Sequence, residues 1–587
     1  MAALARPPIA RHVRARRPAI AGAGLVLFAA ATVSLFFVSR GKWSDAIIDS
    51  GREWIVPDAL ARGELLYRDV VYWFGPFTPY FHALFFRAFG SSFVTLVAAG
   101  AVASAGVLAA LFWVLRRCAG RIEAWEWTTL AVPVLVFMPN AGGGLLGMGY
   151  RIWHAAGFAL AAVAVAAHRR ERPRLGAFLA GCLAGVSGLC RTEWGLAACA
   201  AVLLAVAFGS RRRIPFGRAA LAAVAGWATV FGGGLVLFLL LAGPQAVIRE
   251  GHVLLTDLPP ETRDFLLRYS GVFDWRRGLA QMAYSGAMWL GAATAVELLA
   301  LGARDRNTRR PQLVRLGALL GVLALTAALG GGSGPVLLSA APLVCAAALV
   351  IGLRRAPRPR GARLAAVGLL GLLLSYRRPF HIGDAAYVAP PLLFAFACAG
   401  ALLSLAVARQ RNALTRRRLR LSFAAASALL VTAAFAGRFA QYAADERVAV
   451  GGTRHMLSAL PDEAARLEAV AAEVERRTAE GDGLVCFPEG EVLNFLSGRR
   501  NTLRHKLYIP GYLTQENEPE ILADLRHHPP GAVVIWNRPM GEYGRSFFGL
   551  GTGREVLSWL EGNYRMEVSG IDPRRSSRVL LGIRNQK

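Results

Sequence analysis

Lysine is almost absent from this chain of 587 residues, which contains only Lys42, Lys506 and Lys587. The formal net charge of +29 therefore comes from arginine. A soluble protein this basic would suggest nucleic-acid binding. The arginines, however, stand in short clusters between long apolar runs, as they do in the cytoplasmic loops of membrane proteins. We therefore expect no nucleic-acid partner. Arginine and alanine richness without lysine is also typical of a high-GC bacterial genome.

Cysteine is scarce as well, and its spacing excludes two common kinds of site. The seven cysteines include no CxxC motif, and most lie inside apolar runs. The sequence therefore predicts neither a disulfide framework nor a zinc site. Charged residues make up only 18% of the chain, and stretches such as 93–115 and 221–241 carry none. Runs of about 20 apolar residues cross a hydrocarbon core of roughly 30 Å. We therefore predict a polytopic α-helical membrane protein with an uncleaved first span.

The apolar runs, placed end to end, predict about 13 transmembrane helices. With the N-terminus in the cytoplasm, seven basic segments fall on one side, as the positive-inside rule requires. An odd number of spans puts both the first loop, residues 41–90, and the polar tail on the opposite face. The tail is predicted to be an α/β domain, with an amphipathic helix from Pro461. Domain boundaries of 1–440 and 441–587 follow. The predicted strands cover 483–487, 532–536 and 578–583.

The first loop contains acidic and aromatic side chains that could form a catalytic site. Asp49 and Glu53 are four residues apart, which places them on one face of a helix. Trp43, Trp54 and Tyr72 are nearby, and such aromatic residues are enriched at membrane–water interfaces. A carboxylate at the bilayer surface suits a general base acting on a water-soluble acceptor. A solvated loop held by caps and ion pairs is the competing interpretation of the same residues.

This loop resembles the first loop of the GT-C glycosyltransferases. The resemblance is to the bacterial branch that contains protein mannosyltransferases, the lipid A aminoarabinose transferase and rhizobial lipopolysaccharide sugar transferases. That branch has an acidic motif after the first span, then a glycine roughly fourteen residues later, then an aromatic–glycine pair. Asp49, Gly63 and Phe89-Gly90 occupy these positions here, which selects Asp49 over Asp45. The family often has an Asp-Glu pair at the motif, and Glu53 is the candidate for the second acid.

The resemblance implies an inverting glycosyltransferase on the periplasmic face of the bacterial inner membrane. It would move a hexosyl or pentosyl group from a polyprenyl-phosphate donor to a lipid, glycan or protein acceptor, among membrane lipids. Asp49 would deprotonate the acceptor, and the departing lipid phosphate would need cationic stabilisation. Guanidinium groups bind phosphate through paired N–H donors. The candidate phosphate-binding residues on that face are Arg151, Arg191, Arg377 and Arg378, and each is equally explained as an interfacial anchor.

Five further side chains are candidates for the same site, and a metal ion is an open question. Some members of the superfamily use a divalent cation such as Mg or Mn, and others do not. Asp49, Glu53 and Asp69 are the carboxylates that could hold one, and the sequence does not decide. The additional site candidates are Asp69, Tyr72, His154, Glu193 and His381.

Two other classes of membrane protein fit parts of the sequence. A transporter or lipid flippase typically has ionisable groups in mid-membrane and pseudo-repeated halves. This chain keeps its ionisable residues near the ends of its apolar runs and shows no convincing repeat. An O-antigen polymerase or ligase would carry its arginines in a large central exterior loop and lack an α/β tail. Both alternatives therefore explain less of the sequence than the glycosyltransferase does.

Overall fold

The computed structural model describes residues 9–138, 150–166, 173–209, 216–251, 275–287, 339–355, 359–375, 389–452, 455–540, 547–572 and 577–585, with isolated positions between. Short π-helical segments accompany the α-helices at Ala46–Ser50, Val132–Val136, Ala228–Gly232 and Gln245–Glu250. The α-helices that precede the C-terminal domain begin with α1 Ile9–Ser39, α2 Gly51–Ala61, α3 Phe77–Phe89, α4 Phe93–Cys118, α5 Arg121–Ala131, α6 Tyr150–Ala166 and α7 Pro173–Cys190. They continue with α8 Thr192–Gly209, α9 Phe216–Trp227, α10 Gly233–Ala242, α11 Ala341–Arg354, α12 Pro359–Ser375, α13 Ala389–Arg409 and α14 Ala413–Ala443.

Five helices among the described residues are long and apolar enough to cross a membrane. They are Phe93–Cys118, Pro173–Cys190, Phe216–Ala242, Leu392–Arg409 and Arg416–Ala443. Shorter apolar helices, such as α6, pack among them. The count of 13 stays a prediction, because residues 288–338 and 376–388 lie outside the described residues.

Glycine lets two of these helices touch backbone to backbone. A methyl group on Gly181 of α7 would overlap the carbonyl of Ala223 in α9, and one on Gly226 of α9 would overlap the carbonyl of Phe178 in α7. Small residues at such crossings are typical of membrane helix packing, where van der Waals contact replaces the hydrophobic effect. The close contact fixes α9 and its continuation α10 against α7.

The C-terminal domain, the part of the chain that follows α14, is an α/β unit as predicted. The predicted strands correspond to β3 Leu484–Phe487, β4 Ala532–Asn537 and β6 Ser577–Arg584, and β5 Tyr564–Asp572 is a fourth strand that was not predicted. The sheet order is β3-β4-β6-β5, in which only β3 and β4 are parallel. Its helices are α15 Pro461–Arg477, α16 Val492–Ser497, α17 Glu518–His527 and α18 Arg554–Asn563, and a two-stranded ribbon, β1 Val448–Ala449 and β2 Ser458–Ala459, precedes them.

The first loop and the C-terminal domain share one hydrophobic core. Trp54 of α2 packs edge-to-face on Phe495 of α16, with ring centroids 5.4 Å apart. Arg504 donates hydrogen bonds to the carbonyls of Tyr67 and Arg68, both at 2.8 Å. Buried apolar side chains from both segments belong to one cluster, so the C-terminal domain packs directly on the first loop.

Candidate functional site

Asp49 lies at the end of a π-helical segment that begins with a capping residue. The Oδ1 atom of Asp45 accepts hydrogen bonds from the backbone N–H groups of Ile47 and Ile48, both at 2.9 Å. Such a cap satisfies helix donors that would otherwise lack partners. Asp45 is therefore committed to the backbone. The Asp49 carboxylate instead faces Arg52, with 3.8 Å between Oδ1 and Nη1, and keeps 18% of its side-chain surface exposed.

The surroundings of Asp49 favour its neutral form more than water does. Burial raises the pKa of Asp49 to about 7, and the nearby carboxylates of Asp45, Glu489 and Glu53 add to the increase. Arg52 opposes the shift because its positive charge stabilises the carboxylate. A carboxylate with a pKa near neutrality is well matched to general-base catalysis at neutral pH.

Glu53 and two arginines meet around a single aromatic ring. Glu53 is 9% exposed and accepts a hydrogen bond from Nη1 of Arg151 at 3.1 Å. The Arg151 guanidinium lies 4.0 Å from the centroid of the Phe74 ring, and that of Arg191 lies 5.3 Å from it. Both distances are typical of cation–π contacts. Arg191 also pairs with Glu193 at 2.6 Å. The start of α6 and the junction of α7 with α8 thus bring their arginines together at the first loop.

The C-terminal domain covers this group of charges with an aromatic stack. Trp73 of the first loop and Tyr512 stack face to face, with centroids 3.7 Å apart and an interplanar angle of 7°. Burial raises the pKa of Tyr512, and the charges of Arg151 and Arg52 lie close enough to oppose the shift. Tyr72 is buried beside Arg151 in the same way. The tail therefore contributes side chains to the site.

An apolar groove lies between helices of the membrane part of the protein. It has a volume of about 600 Å³ and runs between α3 and α10. Leu84, Leu237 and Leu241 are largely exposed along it, so the groove opens outward. A methyl group on Gly75 would overlap the carbonyl of Leu189, so the loop lies directly on the end of α7. The lining side chains are Leu65, Pro76, Phe77, Tyr80, Phe81, Leu84, Leu189, Leu237, Phe238 and Leu241, with Gly234.

The groove is linked to the charged residues through the chain. Pro76 and Leu189 line it, and they are two residues from Phe74 and Arg191 respectively. A smaller cavity extends the same surface, sharing Pro76, Leu189 and Phe238. An apolar groove suits a long hydrocarbon tail, and neighbouring guanidinium groups suit an anionic head.

Comparison with known proteins decides what fold surrounds this groove. No protein-family model and no curated protein matches the chain. Solved structures do match. ArnT from Cupriavidus metallidurans, bound to undecaprenyl phosphate, is 14% identical with a TM-score of 0.54, over 95% of this chain and 98% of that chain. The Archaeoglobus fulgidus oligosaccharyltransferase in complex with Zn and sulfate is 13% identical with a TM-score of 0.50, over 94% and 79%. The chain has the GT-C fold.

The fold class predicted from the first loop is therefore confirmed. The sequence predicted a polytopic helical membrane protein with a small C-terminal α/β domain. The described residues have this architecture. The residue assignments within the GT-C fold remain predictions. The structure brings together Asp49, Glu53, Tyr72, Arg151 and Arg191.

Three other residues that were predicted for the site have different local contacts. The Asp69 carboxylate accepts a hydrogen bond from the backbone N–H of Leu65 and is paired with Arg68. His154 contacts Thr78, with 3.0 Å between Nδ1 and Oγ1. Glu193 forms an ion pair with Arg191, and more than a third of its side-chain surface is exposed. The remaining predicted residues, Arg377, Arg378 and His381, lie outside the described residues.

The carboxylates named as possible metal ligands each have a basic neighbour. The described ranges contain no group of three His, Cys, Asp or Glu side chains arranged to hold a metal ion. Asp49 and Glu53 each face an arginine, and Asp69 is engaged by Arg68. The divalent cation therefore stays a prediction.

Sequence reasoning missed three residues of the C-terminal domain that reach the site: Tyr512, Glu489 and Arg538. Glu489 is 1% exposed and accepts from Nε of Arg538 at 2.9 Å and from Nη2 of Arg52 at 3.2 Å. The available signal was an acidic residue, Glu489, two positions after the apolar strand β3. The carboxyl ends of neighbouring parallel strands meet at one edge of a sheet, where polar side chains gather.

Proposed function

We propose that this protein is an inverting glycosyltransferase that uses a polyprenyl-phosphate sugar donor. The observation that carries the proposal is the apolar groove whose lining residues Pro76 and Leu189 are two positions along the chain from Phe74 and Arg191. Phe74 in turn contacts the guanidinium groups of both Arg151 and Arg191. ArnT, which shares the fold, was crystallised with undecaprenyl phosphate, a lipid of the corresponding chemistry. The acceptor is a lipid, glycan or protein, and the transferred group is a hexosyl or pentosyl unit.

Each part of the site has a place in the reaction. The isoprenoid tail occupies the groove, and its phosphate lies against Arg151 and Arg191. Asp49 takes the proton of the acceptor hydroxyl or amine, and the acceptor atom bonds to the anomeric carbon. The bond between that carbon and the phosphate oxygen breaks, and polyprenyl phosphate leaves with the electron pair. A single displacement of this kind inverts the anomeric centre. The two guanidinium groups stabilise the charge that develops on the leaving phosphate.

The basic residues at the helix ends support a proposal for the side of the membrane on which the site lies. Arg116 and Arg117 end α4, and Arg416–Arg418 stand near the start of α14. By the positive-inside rule these ends lie in the cytoplasm. The first loop precedes α4 and the C-terminal domain follows α14, so both lie at the opposite ends of these helices. We therefore propose a multi-pass protein of the bacterial inner membrane whose site and C-terminal domain face the periplasm.

The proposal is tested by transfer from defined donors. Purified protein in lipid nanodiscs is incubated with undecaprenyl-phosphate sugars and with acceptors of the three classes, and product and free undecaprenyl phosphate are measured. We expect stoichiometric release of the lipid phosphate and a product of inverted anomeric configuration. Transfer only from lipid-linked oligosaccharides would favour a polymerase or ligase. Movement of the lipid-linked sugar across sealed vesicles, without transfer, would favour a flippase.

The rate of transfer is expected to depend on pH near neutrality. Asp49 acts in its ionised form, and burial raises its pKa to about 7. Raising the pH ionises more of it, so kcat/KM should rise and then level off, whereas it should fall about tenfold per pH unit below 7. The measurement is kcat/KM between pH 5 and 9. If kcat/KM instead began to fall only at about pH 4, the pKa of an ordinary carboxylate, that result would contradict the role assigned to the buried Asp49.

A further inference from the structure

Arg52 lies between two carboxylates that belong to different parts of the chain. Its Nη2 atom donates to Oε1 of Glu489 at 3.2 Å, whereas its Nη1 atom stands 3.8 Å from Oδ1 of Asp49. The first distance is within hydrogen-bonding range and the second is not. The closer partner is therefore the one 437 residues away, although Asp49 is on the same turn of the first loop.

Glu489 is itself held in place from the opposite side. Nε and Nη2 of Arg538 approach its Oε2 atom at 2.9 and 2.8 Å, and Glu489 is 1% exposed. Glu489 follows β3 and Arg538 follows β4, two parallel neighbours whose carboxyl ends meet at one edge of the sheet. The two carboxylate oxygens of Glu489 thus pair with two arginines, Arg52 from the first loop and Arg538 from the C-terminal domain. Such charge-assisted pairs are short and directional.

Three more acidic residues lie near Asp49 or Arg52 in the described part of the chain, and each has a different local contact. Asp45 is committed to the backbone N–H groups of the π-helical segment. Glu53 is bonded to Arg151 from α6. From the C-terminal domain, Glu491 packs against the start of α2 and bonds the backbone N–H of Gly490. Arg52 is therefore the guanidinium whose position decides how strongly Asp49 is neutralised.

We propose that Glu489 is a positioning residue for the transfer reaction: it holds Arg52 between the two carboxylates and so keeps Asp49 available to the acceptor. The proposal rests on the proposed function, in which Asp49 is the base. Without the charge of Glu489, Arg52 turns to Asp49 and forms a close ion pair. That pair occupies the Asp49 oxygens and lowers their proton affinity, and both effects make Asp49 a weaker base.

A double-mutant cycle tests whether Glu489 acts through Arg52. In the wild-type background, Glu489→Gln is expected to lower kcat about tenfold with donor KM within about twofold, whereas in an Arg52→Gln background it should change kcat less than about twofold. Glu489→Asp, which withdraws the carboxylate by one methylene, should act in the same direction and less strongly. A role in folding alone would lower kcat by the same factor in both backgrounds, and that result would overturn the proposal.

A second readout on the same proteins does not require transfer. Asp49 keeps part of its surface exposed, so a water-soluble carbodiimide with glycine ethyl ester can label it, and mass spectrometry gives the rate. We expect Glu489→Gln to slow the labelling of Asp49 about threefold or more, and the double variant with Arg52→Gln to restore it. An unchanged labelling rate would overturn the proposal. Absence of transfer by the wild type, with the labelling pattern as expected, would instead count against the proposed function.

Glu491→Gln is the matched control for both readouts. Glu491 is buried two residues from Glu489, on the same segment, and burial raises its pKa to about 8. It is therefore largely neutral at pH 7, and glutamine replaces one neutral group with another of similar size. Both the kcat and the labelling rate of Asp49 should stay within about twofold of wild type. A loss equal to that of Glu489→Gln would assign the effect to the segment and overturn the proposal.

Discussion

Asp49→Asn is expected to lower kcat by about 10²- to 10⁴-fold, the range that a positioned general base contributes. Asparagine keeps the shape of the side chain and cannot accept the acceptor proton. The donor KM should change little, because the lipid tail and phosphate are bound by the groove and the arginines. The measurement is steady-state transfer from an undecaprenyl-phosphate sugar at pH 8, where wild-type Asp49 is mostly ionised.

The neighbouring acid offers a matched control for that substitution. Asp45→Asn changes the same functional group four residues earlier, at a helix cap where asparagine is as favourable as aspartate. Its kcat should therefore stay within about threefold of wild type. Full transfer activity in Asp49→Asn would remove Asp49 as the base. Equal losses in the two variants would mean that the π-helical segment, and not the carboxylate of Asp49, is what the reaction needs.

Arg151→Gln is expected to produce the second large effect, on both activity and stability. Loss of one cation beside the leaving phosphate should lower kcat by about 10²- to 10³-fold, as loss of an oxyanion-stabilising donor does in other enzymes. Glu53, which is 9% exposed and bonded to Arg151, is left without its cation. Breaking a buried pair in this way costs about 3–5 kcal/mol of stability. Transfer kinetics and thermal unfolding in nanodiscs measure the two effects.

The two effects of Arg151 can be separated by a second substitution. The double variant Arg151→Gln/Glu53→Gln removes the uncompensated charge, so it should recover most of the stability and none of the loss assigned to phosphate stabilisation. Arg68→Gln is the control, since Arg68 is exposed and pairs with Asp69 at the surface of the same loop. Recovery of kcat along with stability would show that Arg151 serves only to hold Glu53.

Much of the fold could be predicted because its signals are local. The helix α15 follows from apolar Leu467, Val470 and Val474 at helical spacing, and the structure buries all three. The strands β3 and β4 follow from short apolar runs bounded by turn residues. β5 was missed because its residues alternate between the two faces of a sheet and its mean polarity resembles a loop. The alternation of Tyr564, Met566 and Val568 with polar residues was the signal available.

In the candidate site too, contacts between residues close in sequence could be predicted, and contacts between residues far apart in sequence could not. Asp49 and Glu53 could be paired from their spacing, because four residues make one helical turn. Arg151 and Arg191 could be proposed as cations, but nothing in their own segments indicates that they meet on Phe74. Glu489 contacts the site only through the packing of the C-terminal domain on the first loop. A single sequence carries no signal for a contact that depends on the whole fold.

The shared core of the first loop and the C-terminal domain has a consequence for the order of biosynthesis. Arg52 emerges from the ribosome 437 residues before Glu489. At translation rates of about 5–20 residues per second, that interval is roughly 20 to 90 seconds. During it, the apolar side of Trp54 has no Phe495 to cover it. The nascent chain must therefore shelter this loop at the membrane surface or with a chaperone. Prematurely terminated chains, however well inserted, should lack a completed site.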